Sequence, residues 1–159
     1  MLARLFFFVG LSLFALSCGD DTCELTLIIP ELNDRQIYDQ NVADIKSYLA
    51  NNNLTALETS SGLHVIIDEA GSDVKPNLCD EVDATYKGYL LDGTEFDSGT
   101  AAFSLTGVIK GWQEGIPYFG NGGSGILLIP SYIGYGPNPR GSIISPNDVL
   151  IFDVTINGF

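Results

Sequence analysis

One histidine, one methionine, one tryptophan and three cysteines stand in 159 residues. That shortage of activating and metal-binding side chains narrows the chemistry first. A Ser-His-Asp or Cys-His arrangement can run only through His64. His64 alternates with Leu63 and Val65 on a strand pattern, so a solvent-facing residue is the plainer reading than a catalytic base. A zinc site needs cysteines and histidines that the chain lacks; no metal and no cofactor are expected. Cys18, Cys23 and Cys79 form no Cys-x-x-Cys pair, which sets redox catalysis aside. Basic residues are few, 7 against 20 acidic ones, and the formal net charge is −13. Such a field repels phosphate backbones, so nucleic acid is not an expected partner. The apolar run from Leu5 to Leu16 is too short to cross a bilayer as a helix. The carboxylates are scattered over polar faces, and the sequon Asn53-Leu54-Thr55 is a pattern that arises often by chance.

What is present begins with a leader. Arg4 followed by the run from Leu5 to Leu16 fits a secretory h-region behind a basic n-region. Ser17-Cys18 then places a small residue before a cysteine, as in the bacterial lipoprotein signal, where the cysteine is acylated and becomes the N-terminus. The usual box has leucine three positions before the cysteine; here Ala15 holds that place and Leu16 the next. An ordinary cleaved signal with an unrelated cysteine is the alternative. The expected division is a lipoprotein signal peptide at 1–17 and a tether at 18–32, with Gly19-Asp20-Asp21 giving the tether an acidic start. Two or more acyl chains would anchor the protein firmly, at about 0.8 kcal/mol per buried CH₂. The expected location is the cell envelope, lipid-anchored to the outer membrane on its periplasmic or surface face. With Cys18 lipidated, Cys23 and Cys79 remain, and an oxidising compartment permits a disulfide between them. Closing that loop would stabilise the fold by about 4 kcal/mol; two reduced buried thiols are the alternative.

Periodicity organises the rest. Glu24 to Ile29 suggests a short extended segment halted by Pro30. Between Asp34 and Asn51, Ile37, Tyr38, Val42, Ile45 and Leu49 recur at helical spacing, with Asn33 and Gln36 spaced for a capping box. This predicts an amphipathic helix within an N-terminal helical segment at 33–59. Such a helix can dock on the domain, pair with a second copy or act as a spacer, and docking is the commonest fate of a single stripe. From Ser61 the period becomes two, with Leu63, Val65 and Ile67 on one face. Val82, Ala84, Tyr86, Gly88 and Leu90 alternate on a longer strand, and Leu91-Asp92-Gly93-Thr94 supplies turn chemistry. Ile126 to Ile129 and Val149 to Ile156 add strands, and Ile109 to Ile116 is a short helix candidate. Several antiparallel-type strands with one short internal helix predict an α+β domain at 60–159.

Between Tyr86 and Phe152 the chain gathers Tyr86, Phe96, Phe103, Trp112, Tyr135 and Phe152, interleaved with Val108, Ile109, Ile143 and Ile144. Core packing accounts for any one of these; the set, with its flanking residues, is more specific. The stretch from Val82 to Ser98 resembles the opening hairpin of the FKBP-type peptidyl-prolyl cis-trans isomerases. Val108-Ile109-Lys110-Gly111-Trp112 through Ile116 resembles that family's central helix. The stretches from Leu128 to Gly136, with Gly134-Tyr135-Gly136, and from Ile143 to Val154 match its later signatures in the same order. The resemblance covers residues 60 to 159, and the preceding helix and Ser61-to-Val65 strand are similar to the N-terminal part of secreted bacterial members.

The resemblance implies a curved antiparallel β-sheet wrapped around a short α-helix, with a hydrophobic pocket between them. Trp112 falls at the pocket floor, with Tyr86, Phe96, Phe103, Val108, Ile109 and Phe152 as walls. The Tyr135 hydroxyl and the Ile109 backbone N–H would donate to substrate, Asp97 would bond to the ligand or order the wall, and Ile143 and Ile144 would line a flap. The implied activity is prolyl isomerisation on proline-containing polypeptides, assisting the folding of exported proteins without a cofactor. Macrolide inhibitors are further ligands that the resemblance implies. A non-catalytic FKBP-like module that grips apolar or proline-bearing segments is the competing reading. The chain departs from the small cytosolic members in its short connections, five residues between Asp97 and Phe103 and Leu105-Thr106-Gly107 before Val108. It lacks their basic residue after the aspartate and carries Arg140 in the flap loop.

Overall fold

The computed structural model describes Leu25 and residues 35–159. The signal, lipidation and tether assignments, Asn33 of the capping box, and Cys18 and Cys23 lie outside the described residues. Cys79 is disulfide-bonded.

Six strands form one antiparallel sheet: β1 (Leu57–Glu58), β2 (His64–Glu69), β3 (Glu81–Tyr89), β4 (Glu95–Ser104), β5 (Ser124–Ile129) and β6 (Leu150–Gly158). Their order across the sheet is β1-β2-β5-β6-β3-β4. The alternating stretches become β2, β3 and β6, because alternation buries one face of a strand, and the apolar run at Ile126 to Ile129 becomes β5. Gly93 carries the β3–β4 turn at φ +86°, where a left-handed backbone is unstrained for glycine. The predicted helices also form, as α1 (Arg35–Asn51) and α2 (Lys110–Gly115), the latter continued by a 3₁₀ turn at Ile116–Tyr118.

The two faces of the sheet are buried by different helices. On the concave face Val82, Ala84, Leu127, Leu150, Phe152, Val154 and Ile156 pack with Trp112, Ile116 and Phe119. The backbone of α2 comes close, since a Cβ at Gly111 would lie 2.5 Å from Ile129 and one at Gly115 would lie 2.6 Å from Leu127. On the opposite face Ile45 and Leu49 of α1 pack with Leu128, Val149 and Ile151, flanked by Ile66, Tyr89 and Ile126. The N-terminal helix is therefore docked on the domain.

That docking is anchored by a polar residue in the stripe. Asn41 is buried; its Oδ1 accepts from the Ser131 backbone N–H at 2.8 Å and its Nδ2 donates to the Asn147 carbonyl at 3.2 Å. One amide thus ties α1 to the loops that follow β5 and precede β6. Tyr38 meets Tyr132 edge-on at 5.3 Å, the Tyr132 hydroxyl donates to the Ser61 carbonyl, and Ser61 Oγ donates to Glu114 on α2 at 2.6 Å.

Two expectations are corrected here. His64 does not face solvent: it is 2% exposed. Nδ1 lies 2.9 Å from the Gly62 carbonyl and Nε2 3.8 Å from Glu58, which also pairs with Lys46 of α1 at 2.9 Å. The reason is that α1 and β1 cover the face assumed to be open. Ile67, assigned to the core face, is 43% exposed, because β2 outruns its cover and its register shifts between Ile67 and Glu69. The structure also adds β1, which carries no periodic signal in two residues, and extends β4 through Gly99 to Ser104.

Asn41→Ala removes the buried amide and leaves both its backbone partners behind, stranding the Ser131 N–H, which should lower the unfolding free energy by about 1–3 kcal/mol. Urea unfolding measures this; an unchanged midpoint would show that α1 is not held by this contact.

Candidate functional site

The site is built on the concave face where β3, β4 and β6 curl toward α2. Ladder register places the wall residues. Gly88 lies opposite Phe152 on β6 and Asp97 on β4, Tyr86 opposite Gly99, Ala84 opposite Ala101, and Val82 opposite Phe103. With a period of two, Tyr86, Asp97, Ala101, Phe103 and Phe152 all face the same side. Phe96 would then face away. It does not, because the β3–β4 register shifts between Gly88 and Tyr89, leaving Phe96 as an extra residue between Glu95 and Asp97. Such a bulge re-aims one side chain. Adjacent Phe96 and Asp97 both reach the site.

Gly88 makes room for this. A Cβ there would lie 2.5 Å from the Phe96 ring and 2.9 Å from the Phe152 ring. The missing side chain is the gap in which two aromatic residues meet, their centroids 5.4 Å apart and planes at 84°.

The aromatic cup forms around Trp112. Its indole receives Phe103 at 5.0 Å, Phe152 at 5.2 Å and Tyr86 at 5.5 Å, all edge-on. Edge-to-face contacts set a partly positive ring edge against a negative ring face, each worth about 0.5–1.5 kcal/mol beyond the area buried. The indole is 5% exposed and lies beneath a cavity of about 530 Å³ lined by Tyr86, Asp97, Phe103, Val108, Ile109, Trp112, Tyr135 and Phe152.

Polar groups are few and placed at the edge. The Tyr86 hydroxyl donates to Asp97 Oδ2 at 3.2 Å. Burial, and then the Asp97 charge, raise the Tyr86 pKa, so the phenol stays a neutral donor. Ile109 precedes α2 in extended conformation and its carbonyl accepts from the Trp112 and Gln113 N–H groups. Its own N–H has no acceptor among the described residues. Gln113 pins the approach to α2 by donating to the Val108 carbonyl at 2.8 Å.

A second cavity of about 330 Å³ adjoins the first under the flap and is lined by Phe96, Asp97, Tyr135, Arg140, Ile143 and Ile144. Asp97, Tyr135 and Arg140 line both. The flap isoleucines divide their work: Ile144 is buried against the core, whereas Ile143 is 40% exposed at the rim. Thus the structure brings together all eleven residues proposed from the sequence, with Phe96, Ile143 and Ile144 on the flap side. It adds Ala101, Gly107, Gly134 and Arg140 to the lining. Ala101 was open to inference from its parity with Phe103; the loop residues carried no such signal. Among the described residues no cluster of histidine, cysteine and carboxylate could hold a metal ion.

A curved antiparallel sheet closed over a short helix, with an aromatic cup between them, is the FKBP-like fold. The crystal structure of FkpA from Escherichia coli matches it with a TM-score of 0.65 and 34% identity, covering 78% of this chain and 61% of that one. Among curated proteins, FkpA of Buchnera aphidicola is 43% identical over 106 residues, 62% of this chain and 41% of its own length. An outer membrane protein MIP of Legionella longbeachae is 38% identical over 99 residues, 59% of this chain and 42% of its own. The chain thus spans less than half the length of these curated relatives. The family model described as FKBP-type peptidyl-prolyl cis-trans isomerase matches residues 72–157. The chain belongs to that family.

Proposed function

We propose that the domain catalyses rotation about X-Pro bonds in exported polypeptides. The observation that carries this reading is the cavity over Trp112, walled by aromatic rings and bordered by only a few polar groups.

The chemistry needs no nucleophile. Amide resonance gives the X-Pro bond its double-bond character, and uncatalysed exchange takes tens of seconds or more. At the twisted transition state resonance is lost and the amide becomes less dipolar. A water-poor aromatic cup disfavours the planar, charge-separated ground state, and fixed donors hold the twisted form. Here the cup takes the pyrrolidine ring above Trp112. Tyr135 Oη donates to one substrate carbonyl, the Ile109 N–H offers a second donor, and Asp97 fixes the wall through Tyr86. Ile143 and Ile144 cover the ring from the flap. A macrolide inhibitor would compete for the same cup.

The test is an isomerisation assay on the soluble domain with a proline tetrapeptide. Phe96→Ala should lower kcat/KM on the order of tenfold, about 1.4 kcal/mol of transition-state stabilisation. Tyr135→Phe removes one neutral hydrogen bond and should cost about two- to tenfold. Peptide binding without turnover would identify a binding module instead.

The proposed setting is the cell envelope, with Cys18 acylated and the domain held on the outer membrane. Support comes from the leader's pattern and from the name of the Legionella longbeachae relative; no helix among the described residues is long and apolar enough to cross a membrane. Mass spectrometry of the membrane-extracted protein should find a diacyl or triacyl modification on Cys18. An unmodified chain starting elsewhere would refute the anchor.

A further inference from the structure

Arg140 occupies a position that the isomerase reading leaves without a task. It lines both the aromatic cup and the adjoining flap cavity. Its guanidinium carbon lies over the Tyr135 ring, 5.0 Å from the centroid, a cation–π contact that leaves the N–H groups available to donate. The backbone is fixed as well. Arg140 and Ile144 exchange two hydrogen bonds, at 3.1 and 3.3 Å, around a turn in which Gly141 takes φ +60°.

The charge of Arg140 also stands apart from the other described cations. Arg35, Lys46 and Lys87 pair with Asp39, Glu58 and Glu95. Lys75 and Lys110 donate to neutral oxygens, and neither lines the cup or the flap cavity. Arg140 has no carboxylate within 4 Å among the described residues; Asp97, the other charged group lining both cavities, is hydrogen-bonded to Tyr86. A planar donor fork, held at the junction of a proline-sized cup and a side cavity, suits a carboxylate on the bound chain.

Resting on the proposed isomerase reading, we infer that Arg140 is a specificity-determining residue that selects an acidic side chain next to the substrate proline. The whole-molecule field points the other way, since a net charge of −13 repels acidic peptides. Any preference for them must therefore come from a local cation.

The experiment compares four peptides, Glu-Pro with Gln-Pro and Pro-Glu with Pro-Gln, in otherwise identical sequences. Exchange NMR measures turnover without an auxiliary protease, and Trp112 fluorescence measures binding. The wild-type domain should favour Glu over Gln at one of the two positions by about two- to fivefold, the range of an exposed ion pair. The preference should fade at high salt. Arg140→Gln should erase or invert the Glu/Gln ratio, and Arg140→Lys should restore part of it. A ratio of one in the wild type, or a ratio untouched by Arg140→Gln, overturns the inference while turnover of the Gln peptides upholds the isomerase reading. With no turnover of any peptide that reading falls, and the binding ratio alone decides the role of Arg140. Absence of both turnover and binding removes the two together.

Discussion

Three rings meet one indole edge-on, and the site depends on that packing. Phe103 from β4, Phe152 from β6 and Tyr86 from β3 converge on Trp112 of α2 within 5.0 to 5.5 Å. Each ring comes from a different strand, so the cup exists only if all three strands keep their register and α2 keeps its distance from the sheet. Register is secured by alternation, since a one-residue slip would turn each ring to the opposite face. Distance is set by Gly111 and Gly115, whose missing side chains let α2 lie on Ile129 and Leu127. Stability and function are thus two uses of one set of contacts.

The second layer gives this arrangement its backing. With α1 docked on the far face, the paired ends of β5 and β6 are buried on both sides, as Leu127 with Leu128 and Leu150 with Ile151 show. A strand buried on both faces cannot swing outward without exposing apolar surface. The chain from Tyr38 through Tyr132 and Ser61 to Glu114 connects α1 to the helix that bears Trp112. Covering the sheet from behind therefore contributes to holding the cup's floor in place.

How much of this was legible from residues alone follows from where periodicity applies. The concave stripe of β3 could be read directly, because Val82, Ala84, Tyr86 and Gly88 alternate without interruption. The long stripe of α1 could be read as well, though Asn41 at its centre could not be recognised as an anchor, since its value lies in the distant backbone groups of Ser131 and Asn147. His64 was misjudged for the same reason: its burial depends on α1 and β1, far from it in local pattern. The placing of Phe96 and Asp97 on one side defied alternation because a bulge has no periodic signature. Their identity as site residues came from resemblance to a family, and only the register shows how two neighbours share a face. Arg140 was visible as a departure, but its contact with the Tyr135 ring required the flap's turn to be known.

These constraints reduce to a single physical statement about the cup: its floor is an indole that a pyrrolidine ring can cover. The chain's one tryptophan makes the statement directly accessible. In a two-dimensional spectrum of the labelled domain, the Trp112 ring signals should shift on titration with a short peptide containing proline. They should stay in place with the same peptide carrying alanine instead. Equal shifts with both peptides, or none with either, would contradict a site shaped for proline above Trp112.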